Sequence, residues 1–175
     1  MTSGPDPAAP LVDFAGLYRD HAADVHRFAL YLSGDRALAE DLVSDAFIRV
    51  WTARDRVELS TVRGYLFAIV RNLFLQHLRR ERRRAPLQDA IETTEAGPED
   101  RASGQSSLRA VLAALGTLSE VDRAAVLMRA DEGLPYEDIA AALGISTTAA
   151  KVKVYRARLK LAEILKPAES KERNP

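Results

Sequence analysis

The side chains best suited to binding chemistry lie between Leu134 and Lys160, in two short segments separated by Gly144. Apolar residues recur in both segments at helical offsets, which predicts two helices with one buried face each. Gly144 ends the first helix, and the Ser146 hydroxyl can cap the second. No acidic residue lies between Ser146 and Leu161. The exposed side of the second helix instead carries cations and hydroxyls, which fit the phosphates of a duplex. The pattern therefore predicts a DNA-binding helix-turn-helix.

The cations and hydroxyls of the second helix are the candidate DNA ligands, and its first turn is the part that can reach base edges. The alternative is a solvated basic face on an ordinary helical hairpin. The turn glycine, the cap, the apolar spacing and the charge agree in favouring nucleic acid. The candidates are Thr147, Thr148, Lys151, Lys153, Tyr155, Arg156, Arg158 and Lys160.

Catalytic chemistry finds little support in the sequence. The histidines are His21, His26 and His77, and the first two are five residues apart, which is not the spacing of one helical face. Nucleophile elbows, phosphate loops and metal-ligand spacings do not occur. Asp41 and Asp45 could hold a divalent ion with outside help, but an exposed acidic face is the better interpretation. We therefore expect no enzyme activity, no catalytic residue, no metal and no cofactor.

The charges are balanced overall but unevenly distributed. The formal net charge is +0, and there are no cysteines. Six arginines and one acid lie between Arg71 and Arg84, whereas five acids and a single arginine lie between Pro86 and Ser107. An acidic connector thus separates the basic segment before it from the basic helix that follows Ser146. The N-terminus lacks the basic and apolar regions of a signal peptide, and no apolar run is long enough to span a membrane. We expect a cytoplasmic protein without membrane insertion.

The elements that carry these residues are all predicted to be helical. The first expected helix begins near Asp13, and the second follows a cap at Asp35. A third is expected from Thr61 to Arg83, and another follows a cap at Ser119, before the helix-turn-helix. The expected fold is all-α, with two small helical domains joined by a flexible acidic linker, the C-terminal one containing the helix-turn-helix. The expected boundaries are a tail at 1–12, a first domain at 13–84, a linker at 85–107, a second domain at 108–166 and a tail at 167–175.

Three blocks in order resemble the extracytoplasmic-function (ECF) sigma factors, two-domain bacterial initiation factors of the sigma-70 family. The blocks are AEDLVSDAFIRVW from Ala39, GYLFAIVRNLFLQHLRR from Gly64, and LPYEDIAAALGISTTAAKVKVYRARLKL from Leu134. The resemblance covers about nine tenths of the chain. It implies a factor that binds core RNA polymerase and directs promoter-specific initiation, with promoter DNA as its other partner and an anti-sigma factor as a candidate regulator.

The resemblance also implies roles for individual positions. The first block resembles the surface that binds the coiled coil of the largest polymerase subunit, through Asp41, Leu42, Asp45, Phe47, Val50 and Trp51. The third helix resembles the part that melts the minus-ten element, through Arg63, Tyr65, Phe67, Arg71, Asn72, Phe74, Arg79 and Arg80. The recognition helix would read the minus-thirty-five element through Ser146, Thr147, Thr148, Lys151, Lys153, Tyr155, Arg156 and Arg158.

Chemistry supports the role of the third helix, since aromatic rings can stack on unpaired bases while arginines hold phosphates. For any single aromatic residue, however, a place in the core is the more probable alternative. A second alternative concerns the whole chain, which could be a helix-turn-helix repressor or activator without sigma activity. That alternative explains the C-terminal half equally well but gives the arginine-rich third helix no role.

Overall fold

The computed structural model describes residues 13–53, 62–84, 104–130 and 133–166. Within these ranges every regular element is a helix, which confirms the predicted all-α fold. None of the described helices is long and apolar enough to cross a bilayer. The seven helices are α1 Phe14–Ser33, α2 Arg36–Thr52, α3 Val62–Arg84, α4 Gly104–Gly116, α5 Glu120–Ala130, α6 Tyr136–Leu143 and α7 Thr147–Ile164.

The first three helices form an N-terminal unit with its own apolar centre. Asp13 and Asp35 cap α1 and α2, each accepting a backbone N–H bond in the first turn. Gly34 ends α1 in the left-handed conformation, with φ 73°, and so turns the chain directly into α2. At the centre, the rings of Phe28 and Phe67 stack with centroids 4.5 Å apart. This packing fixes α3 against α1 and determines which side of α3 remains exposed.

The last four helices form the C-terminal unit. The Ser119 hydroxyl accepts a bond from the Asp122 amide, so the predicted cap is present. Gly144, with φ 66°, ends α6 and makes the turn into α7, as expected for a helix-turn-helix. Helix α4 begins at Gly104, inside the range expected for the linker. The composition of that range predicted a linker. Its last residues, from Gly104 onward, instead form the first turn of α4, which packs beside α7.

The two units pack against each other, with α1 and α3 of the first facing α5 and α6 of the second. Their buried apolar residues form one continuous cluster. Arg123 on α5 crosses the boundary and donates to the Leu32 carbonyl, at 2.6 Å, in the last turn of α1. Burial lowers the pKa of the Arg123 guanidinium, and the nearby Glu120 carboxylate opposes that shift. The sequence did not predict this arrangement of the two units.

Candidate functional site

The recognition helix α7 begins with a capped first turn, because the Ser146 hydroxyl accepts a bond of 3.1 Å from the Ala149 amide. Its buried side, formed by Ala150, Val154 and Ala157, packs on the rest of the C-terminal unit. The predicted DNA ligands that remain exposed are Ser146, Thr148, Lys151, Tyr155, Arg156 and Arg158, while Thr147 is half-buried. Cations and hydroxyls therefore share the outer side of one helix, as phosphate contacts and base-edge contacts require.

Two cations of α7 bind oxygen atoms of the same protein chain. Lys153 Nζ lies 3.3 Å from Asp122 Oδ1 on α5, and Lys160 Nζ donates to the Thr117 carbonyl at 2.6 Å. The DNA contact expected of Lys153 stays a prediction, and in this structure its ammonium is paired with a carboxylate of α5. Charge density along α7 could not reveal this, since Asp122 lies on another helix.

The outer side of α7 also carries apolar residues that the sequence analysis did not single out. Val152 and Leu159 are about half exposed, and Tyr155 between them is 64% exposed. Their spacing of three and four residues places them in one stripe along the helix. The spacing is present in the sequence, where cations lie between these apolar residues.

Helix α2 presents an acidic face. Asp41 and Asp45 are exposed one turn apart, and Ile48, one further turn along, is 60% exposed. Ile48 was not among the predicted polymerase-binding residues, although the i, i+3, i+4 rule places it beside Asp45. We call Asp41, Asp45 and Ile48 the acidic face of α2. Two carboxylates followed by an exposed apolar residue suit a basic partner with an apolar anchor.

Three of the predicted polymerase-binding residues do not reach the surface. Leu42, Phe47 and Val50 are buried, at 4%, 2% and 1% exposure, so they position the helix and cannot themselves contact a partner. Trp51 remains 43% exposed, and its ring lies 5.1 Å from that of Phe14. The prediction is corrected for the three buried residues, since an amphipathic helix buries one side in its own domain.

A polar hollow of about 200 Å³ separates the acidic face of α2 from the basic end of α3. Both signs of charge line it: Asp41 and Asp45 come from α2, while Arg80 comes from α3. Arg80, predicted to bind the minus-ten element, therefore lies beside the α2 carboxylates. Among the described residues, no three His, Asp or Glu side chains gather as metal ligands would.

Helix α3 divides its predicted minus-ten residues between core and surface. Phe67 and Phe74 are 0% and 5% exposed, which corrects the expectation that their rings stack on bases, because a buried ring offers no free face. Tyr65 and Asn72 are exposed. Arg63 lies 3.3 Å from Asp24 on α1. The charged end of α3, including Arg79 and Arg80, is also exposed.

Arg71 is the predicted minus-ten residue that departs furthest from expectation. Its side chain is nearly buried, and two guanidinium nitrogens donate to the Glu120 carboxylate of α5 at 2.5 and 2.9 Å. Arg71 was expected to be free to bind a phosphate. In this structure it is not, because its guanidinium group is already bound to the Glu120 carboxylate. The partner lies 49 residues away in the chain, so no local pattern could identify it.

Two family models match the chain in the order expected from its motifs. Sigma-70 region 2 matches residues 17–84, and Sigma-70, region 4 matches residues 108–161. These ranges contain α1 to α3 and α4 to α7 respectively, apart from a few residues at their ends.

Several sigma factors are similar to the chain over most of its length. The ECF RNA polymerase sigma factor SigE of Mycolicibacterium smegmatis is 37% identical over 156 residues, covering 85% of this chain and 60% of SigE. The RNA polymerase sigma factor CarQ of Myxococcus xanthus is 35% identical, covering 87% of this chain and 88% of CarQ. The sigma factor RpoE from Bartonella quintana, solved in complex with the anti-sigma factor NepR, is 31% identical with a TM-score of 0.76 and covers 90% of this chain and 99% of its own.

These matches extend over both units and include α3, the helix to which the repressor alternative gives no role. They favour promoter-specific initiation with core RNA polymerase over the alternative of a helix-turn-helix repressor or activator. The chain belongs to the extracytoplasmic-function sigma factors of the sigma-70 family.

Proposed function

We propose a division of labour in which the N-terminal unit binds core polymerase and opens the minus-ten element, while the C-terminal unit reads the minus-thirty-five element. The observation that supports it best is the outer side of α7, where Thr148, Lys151 and Arg156 are exposed behind a capped first turn. Lys151 and Arg156 would hold phosphates, and Thr148 is short and early enough to reach a base edge.

Core polymerase would dock on the acidic face of α2. Asp41 and Asp45 supply negative charge for a basic partner, and Ile48 supplies an apolar centre that loses water on binding. Trp51 extends the exposed apolar area at the end of the same helix.

The exposed part of α3 would act on DNA after the strands separate. Tyr65 can stack on an unpaired base, Asn72 can hydrogen-bond to a base edge, and Arg79 and Arg80 can hold phosphates. The protein would itself catalyse no reaction, since polymerase supplies the chemistry. Such work with polymerase on promoter DNA would take place in the cytoplasm.

Run-off transcription tests the proposal. Core polymerase with the full chain should give specific transcripts on candidate promoters, including the one upstream of its own gene, whereas core polymerase alone should give none. If folded protein yields no transcript on any candidate promoter, the proposed function is wrong. Duplex binding that is equally tight with and without core polymerase would instead favour a repressor.

A further inference from the structure

The contact between the two units contains a buried ion pair. Only 10% of the Arg71 side chain and 17% of the Glu120 side chain are exposed. Both carboxylate oxygens accept bonds, from Nε at 2.5 Å and from Nη2 at 2.9 Å. Paired groups so far from water are weakly screened by salt, and two parallel bonds fix the orientation of both helices.

Further contacts hold the same boundary. Arg123, three residues after Glu120, donates to the Leu32 carbonyl, a group left without a helical partner at the end of α1. Helix α3 is also approached closely at Gly64, where a methyl group would lie 3.7 Å from the Leu134 side chain. The ion pair therefore lies within a packed interface.

This interface lies on the side of α3 that carries the proposed minus-ten surface. Arg71 is occupied by a carboxylate, whose two oxygens engage the guanidinium fork as a phosphate would. Tyr65 lines a groove of about 270 Å³ between α3 and α6, with Asp138 and Ala141 on the opposite wall. While the units remain together, a single strand of DNA could not reach the Arg71 fork, and the α6 wall of the groove limits its approach to the exposed Tyr65 ring.

The closed arrangement also conflicts with promoter geometry. Elements about 25 base pairs apart are separated by about 85 Å of duplex. A compact chain of this length has a radius of gyration of about 16 Å, so the closed molecule cannot reach both elements. Residues 85–103 connect the units, and a chain segment of that length can extend to about 65 Å. Initiation therefore requires the units to separate.

From these observations we propose that the Arg71–Glu120 ion pair is an autoinhibitory latch, in which Glu120 occupies the anion site of Arg71 and keeps the free chain closed. Core polymerase opens the latch by binding the units at separate places. That the latch covers a promoter surface rests on the proposed function of α3, whereas the closure itself does not.

Removing the carboxylate charge should open the chain without unfolding it. In Glu120→Gln, the Arg71 charge would be buried beside a neutral amide, which is costly. Separation of the units returns Arg71 to water and leaves the helix caps at Asp13 and Ser119 in place, since each cap lies within one unit. The matched control is Glu163→Gln, which removes the same charge at an exposed position on α7.

Small-angle X-ray scattering of the full chain measures the closure. We expect a radius of gyration close to about 16 Å for the wild type and the control, and above about 20 Å for Glu120→Gln with unchanged helical circular dichroism. The double variant Arg71→Glu, Glu120→Arg should scatter like the wild type, since it restores opposite charges. A Glu120→Gln chain as compact as the wild type, an extended wild type, or a double variant that stays open would each overturn the latch.

Binding of a fluorescein-labelled pool of random single-stranded DNA decamers measures the masking. Glu120→Gln should bind roughly tenfold more tightly than the wild type and the control, because the competing carboxylate charge is gone. The closed double variant should bind weakly, having lost the arginine from α3. If Glu120→Gln opens without gaining affinity, the latch stands and the proposed role of α3 on single strands is wrong.

Discussion

Lys153 on the recognition helix lies 3.3 Å from Asp122 on α5, and this ion pair divides the cations of α7 into two groups. Lys153 is half-buried and holds α7 to its own domain. Lys151, two residues earlier, is exposed, with its ammonium 5.7 Å from the centre of the Tyr136 ring. We therefore propose different roles for two lysines on one helical turn, with Lys153 stabilising the fold and Lys151 binding DNA.

The salt dependence of DNA binding should distinguish these lysines. Lys151→Ala should weaken holoenzyme binding to all upstream sequences alike and lower the slope of log K against log salt by about 0.9, the value for one phosphate contact. Lys153→Ala should leave the slope unchanged and destabilise the C-terminal unit by about 1 kcal/mol or less. Titrations at several salt concentrations give the slopes, and thermal melting gives the stabilities. Equal changes in slope would contradict the assignment of Lys153 to Asp122.

Charge reversal on α2 should disturb polymerase docking without disturbing the fold. Asp45 is exposed, so Asp45→Arg should keep its helicity while repelling a basic partner and reducing core polymerase affinity about tenfold or more. The matched control is Asp20→Arg, which reverses the charge of an exposed residue on α1, outside the acidic face of α2. Holoenzyme assembly can be followed by native gel titration. Normal assembly by Asp45→Arg would remove α2 as the docking surface.

Two neighbouring apolar residues on α2 should separate docking from folding. Ile48 is 60% exposed, so Ile48→Ala should lower core polymerase affinity with little change in the free energy of unfolding. Phe47 is 2% exposed, and Phe47→Ala should reduce the free energy of unfolding by about 3 to 5 kcal/mol. Urea unfolding and polymerase binding measure the two effects. Loss of stability in Ile48→Ala comparable to that in Phe47→Ala would show that Ile48 belongs to the core.

The features that could be predicted from the sequence are those with local causes. The caps Asp35, Ser119 and Ser146 and the turn at Gly144 depend on residues within one helical turn, and all were predicted. The order of helices followed from apolar periodicity in the same way.

The features that the sequence did not predict depend on distant partners. Helix α3 has apolar residues around most of its circumference, so only packing could show that Phe67 is buried while Tyr65 is exposed. The ion pairs of Arg71 and Lys153 depend on which helices meet, and charge along one helix carries no such information.

Specificity for the upstream element should depend on Thr148. This residue is exposed in the first turn of α7, where short side chains can reach base edges. Thr148→Ala should change the order of preference among upstream sequences and leave the salt slope unchanged, because no phosphate contact is lost. Selection from a randomised upstream element, compared with Lys151→Ala, measures the preference. An unaltered preference with a reduced slope would make Thr148 a phosphate ligand.

Strand opening and upstream binding should fail separately, because Asn72 and Lys151 lie in different units. Asn72 is exposed on α3 and is not part of the Arg71–Glu120 ion pair, so its amide can reach an unpaired base once the units separate. Asn72→Ala should therefore leave upstream binding by holoenzyme intact while reducing permanganate reactivity of thymines in the minus-ten element. Lys151→Ala should weaken binding first and lose reactivity only in proportion to the lost complex. If both variants reduce reactivity equally at saturating holoenzyme, one continuous surface reads the promoter and the two units do not divide the work.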